Sequence, residues 1–401
     1  LQRIAEGLGY SDPLAGNTLG QWLPGYHYTA SLLLAFAGTH ALWALKAGNI
    51  LLSLASLLLV YLLAQRMAPG TGPWAAVLLA LNPIDIATSS ASYTEPMALV
   101  LILSTLYLLS MGHRYGSPLI ALVLLAAALT RYEAWLLIPI LAFHPGAGLR
   151  GRRAVLLPAL LFIVGWSLHL WTDGPALLAR SESIVLYEAS KGAIAPDLLA
   201  RLGNLFVYAL ATSPMVYVLG MAQGWRMRGY LPSFLFLHLA ILSSLTFSGA
   251  GVGSFRYLSL PAAFLSILAG VSRSRLLPLA LASSLILLPY YLPLFNGLGS
   301  LYGPMVRAGE FVGAQEVEGS VLANSPIPLY YSGLPVERLL GPFPLPGGRE
   351  GALQALDSWG VEYVIASDLP SRLTDLSPGL GLGKPDEDFI LTNSTGGWEI
   401  E

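Results

Sequence analysis

Ten apolar stretches divide the chain, at residues 47–66, 72–86, 96–112, 118–130, 134–143, 154–172, 204–221, 230–247, 256–271 and 277–295. Each has the length of a membrane span or nearly so, and each predicts a helix. The polar gaps between them alternate in character. Gln65-Arg66, His113-Arg114, Arg150 to Arg153, Arg226 to Arg228 and Arg273 to Arg275 are basic and fill every second gap. By the positive-inside rule these face the cytoplasm, so Asp85 to Glu95, Thr172 to Gly203, Ser248 to Ser254 and everything after Phe295 are expected outside. That parity requires Gln21 to Lys46 to begin and end outside. Its aromatic start, Trp22 to Tyr28, is broken by Pro24 and suits a helix lying in the outer interface.

Beyond Phe295 the pattern changes. Residues 305–401 are richer in Gly, Pro and acids. Short alternating runs at Ser320 to Asn324, Leu329 to Ser332, Val361 to Ser367 and Phe389 to Thr392 predict strands, with a helix over Gly351 to Trp359. The expected organisation is an interfacial segment at 1–46, a transmembrane domain at 47–298 and a small extracytoplasmic α/β domain at 299–401. Asn393-Ser394-Thr395 in that last domain is a glycosylation triplet.

One interruption of the apolar pattern stands out. In the middle of Pro118 to Phe143 lie Thr130-Arg131-Tyr132-Glu133. A charge at membrane depth costs about 2.5 to 3.5 kcal/mol on insertion scales, so such residues pair with each other or line a cavity. Two readings stand: an Arg131 to Glu133 pair closing a helix bend, or a polar site within the membrane. The thirteen residues before the break reach only about 20 Å against a hydrocarbon core of roughly 30 Å. The turn is therefore expected at the floor of an outward-facing cavity.

Composition agrees with a polytopic membrane protein: 55% of the 401 residues are hydrophobic and 11% charged, with mean hydropathy +0.63. The net charge of −2 argues against a nucleic-acid partner, which demands a basic surface. With no cysteine, disulfides and thiolate sites are excluded. No His, Asp or Glu pair has metal-ligand spacing, and no metal or other cofactor is expected to be required.

Three places, in order along the chain, resemble the GT-C superfamily of membrane glycosyltransferases, in its protein O-mannosyltransferase and aminoarabinose-transferase branch. They are Trp22-Leu23-Pro24-Gly25-Tyr26 ahead of the interfacial helix, Leu81-Asn82-Pro83 followed by Ser92-Tyr93-Thr94-Glu95-Pro96, and Leu129-Thr130-Arg131-Tyr132-Glu133-Ala134. Arg256-Tyr257 before Pro261 is similar to that family's arginine at the outer start of a late span. The resemblance covers nearly the whole chain. It implies an α-helical GT-C-like fold of about ten transmembrane segments. The implied reaction moves a sugar from a polyprenyl-phosphate carrier to a protein, lipid or glycan acceptor at the outer face of, by expectation, the plasma membrane; mannose on dolichyl phosphate is the branch's suggestion.

The resemblance also implies that the family's principal acid lies on the first external loop, just before a helix like Leu1 to Tyr10. The expectation is a first span and main catalytic carboxylate upstream of Leu1, with Glu6 and Asp12 the acids left on that loop.

Sugar transfer needs a cationic or hydrogen-bonding cradle for the departing phosphate, a role suited to the planar arginine fork. Arg131, Arg256 and Arg180 are the candidates for the donor phosphate. The acceptor needs a carboxylate in reach; Glu95 is the candidate to assist or orient. Tyr132, Glu133, Tyr93, His27 and Trp22 are candidate pocket residues. Simpler accounts exist for several. A helix start favours Glu95 through its dipole, Arg256 can snorkel to the interface, and Trp22, Tyr26 and His27 suit an aromatic belt. Asp85 reads as a loop residue. A transporter, a lipid flippase or a non-catalytic scaffold would also place charges in a membrane, although no inverted repeat is visible.

Overall fold

The computed structural model describes residues 23–37, 41–90, 93–111, 118–143, 149–172, 213–227, 229–248, 255–323, 332–335, 338–340, 354, 356–366, 389–394 and 397–400. The chain divides into two compact units, one holding residues 19–177 and 193–292, the other residues 293–401, with short stretches of the N-terminal and 178–192 regions assigned besides.

In the first unit the helices are α1 (Pro24–Ala37), α2 (Ala41–Met67), α3 (Gly72–Ala80), α4 (Pro83–Ser90), α5 (Glu95–Ser110), α6 (Pro118–Thr130), α7 (Leu137–Ala142), α8 (Leu149–Thr172), α9 (Pro214–Arg226), α10 (Tyr230–Ser248) and α11 (Ser259–Val271). Short 3-10 turns at Tyr132–Leu136 and Phe255–Leu258 precede α7 and α11. The long α12 (Leu277–Gly313) runs on from Leu292 into the second unit.

Every residue of α11 is buried, as expected of a helix that is apolar all round. Its neighbours approach it through small residues. A Cβ on Gly220 of α9 would come within 2.7 Å of the Leu265 carbonyl oxygen, and one on Gly270 within 2.9 Å of Ala75 on α3. Close backbone approach of this kind is how helices gain packing energy where apolar burial alone gives no preference. Leu78, Leu103, Leu124, Leu137, Phe234 and Phe264 fill the core around it.

Only α2, over Trp43–Met67, is long and apolar enough to cross a membrane by itself among the described residues, or two spans when the bent pair α4 and α5 counts as one; the bend is 116°. Two elements differ from the sequence pattern. Helix α2 begins at Ala41, ahead of Lys46, which lays its ammonium over the Trp43 ring, 5.4 Å from the centroid. The polar stretch after Asn82 is helical rather than a loop. Asn82 accepts the Ile84 N–H, and Thr88, Ser89 and Ser90 each donate back to a carbonyl one turn earlier.

Arg66 donates to the Ser110 carbonyl, and Arg273, with a left-handed backbone (φ 50°), donates to Pro69. Three polar gaps thus meet at one end.

The second unit carries a five-stranded sheet in the order β2-β1-β3-β4-β5: β1 Ser320–Ala323, β2 Leu339–Leu340, β3 Val361–Ala366, β4 Phe389–Ser394 and β5 Gly397–Ile400. β1 is parallel to β2 and β3, while β4 is antiparallel to β3 and β5. Val312, Val317, Val321, Ala323 and Ile365 form its core. The expected strand at Leu329 to Ser332 lies outside the described residues up to Ser332, which is in a turn. Asn393 and Ser394 of the glycosylation triplet lie at the end of β4.

Candidate functional site

The site grows from the break after α6. Arg131 leaves the helix with an extended backbone (φ −150°, ψ 145°) and the chain re-enters as the 3-10 turn Tyr132–Leu136. Trp135 spans the break by donating its indole N–H to the Ala128 carbonyl at 3.0 Å. In a 3-10 turn residues three apart eclipse, which puts Tyr132 edge-on to Trp135, ring centroids 4.9 Å apart.

Arg131 is buried and its guanidinium is nearly saturated. Nε and Nη2 donate to the two oxygens of Glu133, at 2.9 and 2.5 Å. Nη1 donates to Glu95 at 2.5 Å and to the Thr94 hydroxyl at 2.8 Å. One cation therefore holds two carboxylates, and four of its five N–H groups are committed. Glu95 is as buried as the arginine, and both are among the few charged residues inside the unit. The Tyr257 ring faces the guanidinium, 5.5 Å from its centre, a cation–π arrangement.

Around this cluster other helices supply polar groups. Asn49 on α2 donates to the Tyr93 carbonyl at 2.8 Å, tying the entrance of α5 to α2. Tyr26 on α1 is buried beside Asn49; burial pushes its phenol up to about 12, with Asn49 acting the other way. Gly25, one residue earlier, touches the end of α6. A Cβ there would lie 2.8 Å from the Leu129 carbonyl oxygen, just ahead of Thr130 and Arg131.

Of the sequence-predicted site residues, Arg131, Glu95 and Glu133 come together. The Tyr132 hydroxyl accepts the Trp166 indole N–H at 3.2 Å. Tyr93 joins through its carbonyl. His27 engages the Leu23 carbonyl of its own helix, and burial lowers its pKa, with that carbonyl opposing. Arg256 lies in the turn Phe255–Leu258 next to Tyr257, but its side chain lies outside the described residues, as do Trp22 and Arg180. Asp85 is buried rather than in an open loop, and accepts from Ser53 at 2.9 Å.

His238 joins the cluster without a motif to mark it. It sits on α10, 4% exposed, within electrostatic range of both Glu133 and Arg131 and with one ring nitrogen on the Tyr257 backbone. Its signal was the one that marked Arg131, a titratable residue inside an apolar stretch. Among the described residues no three His, Asp or Glu side chains converge as a metal site.

No protein-family model matches the chain, and no curated protein matches it by sequence. Solved structures do. ArnT from Cupriavidus metallidurans bound to undecaprenyl phosphate superposes with a TM-score of 0.59 at 12% identity, covering 100% of this chain and 91% of that one. The archaeal oligosaccharyltransferase AglB from Archaeoglobus fulgidus, in complex with an inhibitory peptide and a dolichol-phosphate, gives 0.55 at 11% identity, covering 100% and 69%. The chain shares its fold with these two proteins.

Proposed function

From that fold and the buried Arg131 cluster, we propose that the protein is a membrane glycosyltransferase taking a sugar from a polyprenyl-phosphate carrier. The observation that carries the reading is one arginine holding Glu95 and Glu133 at a helix break, in a fold seen with polyprenyl phosphates in two neighbours. In the reaction the acceptor oxygen bonds to the anomeric carbon as the carbon–phosphate oxygen bond breaks. The acceptor proton passes to a carboxylate, and the carrier leaves as a phosphate monoester with one more negative charge.

Arg131 is placed to meet that growing charge, with Arg256 and Arg180 as further cations for the same phosphate. Glu95, bonded to Arg131 and Thr94, orients the arginine. The donor is the lipid-linked sugar, with no resident cofactor. The sugar is mannose in the branch the sequence resembles, and the acceptor is a protein, lipid or glycan. The polar end holding Arg131 faces outward, together with the C-terminal sheet, in a multi-pass protein of the plasma membrane.

The test is transfer from dolichyl-phosphate mannose, and in parallel from other polyprenyl-phosphate sugars, by membranes bearing the full gene product. Arg131→Ala and Glu95→Gln should each lower kcat by about 100-fold or more, the scale of losing a group aimed at transition-state charge. Wild-type rates in both variants would remove the site assignment.

A further inference from the structure

The arrangement that makes Arg131 a candidate also obstructs it. Glu133 occupies the Nε and Nη2 face of the guanidinium, the planar fork that would take a phosphate in bidentate fashion. Nη1 is engaged by Glu95 and Thr94. With one cation against two carboxylates, the cluster presents net negative charge to an incoming anion. A donor phosphate gains the fork only when Glu133 leaves it, and a carboxylate leaving an arginine in a buried site needs another partner.

His238 is that partner by position. One ring nitrogen is held by the Tyr257 backbone, which turns the imidazole, while Nδ1 is buried with no hydrogen-bond partner among the described residues. A buried unpaired ring nitrogen costs free energy, which a state that gives it a partner recovers. Glu133 and Arg131 act electrostatically on His238, which also bonds the Tyr257 backbone, and the 3-10 turn Tyr132–Leu136 packed on α10 brings Tyr132 and Glu133 to it as its titratable groups. Helices α7 and α11, packed on α10, carry no titratable side chain, and α9, which meets α10 at Phe236 through Gly224 and Trp225, carries Tyr217 and the exposed Arg226.

We propose that His238 is a positioning residue that works by exchange of partners: it takes a proton as the donor binds, receives the Glu133 carboxylate, and so frees the Arg131 fork for the phosphate. One proton enters with each phosphate. The imidazolium, with Nδ1–H now a donor, holds Glu133, and the arginine passes from carboxylate to phosphate without leaving either anion unpaired. This deepens the polyprenyl-phosphate reading and rests on it.

The probe is a short-chain polyprenyl methyl phosphodiester, which lacks the second ionisation that a phosphate monoester has near pH 6. Its charge is then constant, and any pH dependence of binding belongs to the protein. Binding to the full gene product in detergent should weaken by about tenfold per pH unit on the alkaline side, as uptake of one proton requires. His238→Gln should bind weakly with no such slope. Glu133→Gln, whose neutral amide has less hold on the fork, should bind well at every pH, again without slope. This second variant decides the matter even if His238→Gln does not fold. A slope that persists in Glu133→Gln overturns the exchange while leaving the carrier reading intact. No binding by the wild type at any pH overturns both.

Discussion

At the residue scale, Arg131 matters for stability as well as chemistry. It forms ion pairs with both Glu95 and Glu133. Removing one partner of a buried ion pair costs about 3 to 5 kcal/mol, because the remaining charge stays buried and unpaired. Arg131→Met should therefore lower the thermal midpoint of the purified protein markedly. Replacing Glu95 and Glu133 by Gln in the same chain should recover much of the loss while transfer stays abolished. Arg131→Lys keeps the charge but not the planar fork, so it should remain less stable than wild type. Equal midpoints for the lysine and wild-type proteins would show that the bidentate contact is worth little. The Arg131 and Glu133 partnership could be read from their spacing, but Glu95 lies 36 positions away and only the folded chain joins it to Arg131. His238 escaped for a like reason: one histidine in an apolar helix reads as core until tertiary packing sets it beside Glu133.

At the element scale, the apolar pattern placed α6 well because both ends carry marks, Pro118 at its start and Arg131 just past its last residue. It failed where side chains satisfy themselves locally. The Ser and Thr residues of α4 look like a loop, yet hydroxyls bonded back to the preceding turn allow them in a helix. Packing between elements yields a paired prediction. Gly25→Ala would drive α1 against the Leu129 carbonyl, whereas a Cβ on Gly165 of α8 meets nothing within 4 Å. Gly165→Ala should stabilise by about 0.5 to 1 kcal/mol through lower unfolded-chain entropy. Gly25→Ala should destabilise and also slow transfer, since the shift lands on the residue next to Thr130. Melting curves that moved in the same direction for both would contradict the close approach of α1 and α6.

At the scale of the whole molecule, two of the basic gaps are tied to neighbouring gaps: Arg66 donates to the Ser110 carbonyl and Arg273 to the Pro69 carbonyl. If these gaps face the cytoplasm, a cysteine replacing Arg275 should react with an impermeant maleimide only after the membrane is opened. One replacing the exposed Glu316 of the second unit should react in intact cells. None of these 401 residues is a cysteine that would compete for the label. Labelling of Arg275→Cys in intact cells would invert the orientation.

The approach of Gly25 to the Leu129 carbonyl also bears on how such a chain can diverge. Two stretches more than a hundred positions apart share one van der Waals surface, so neither can change shape alone. In related chains, a side chain at the Gly25 position should be accompanied by an altered end of α6. The Trp22-to-Tyr26 segment and the arginine turn should then be inherited together, as a single module.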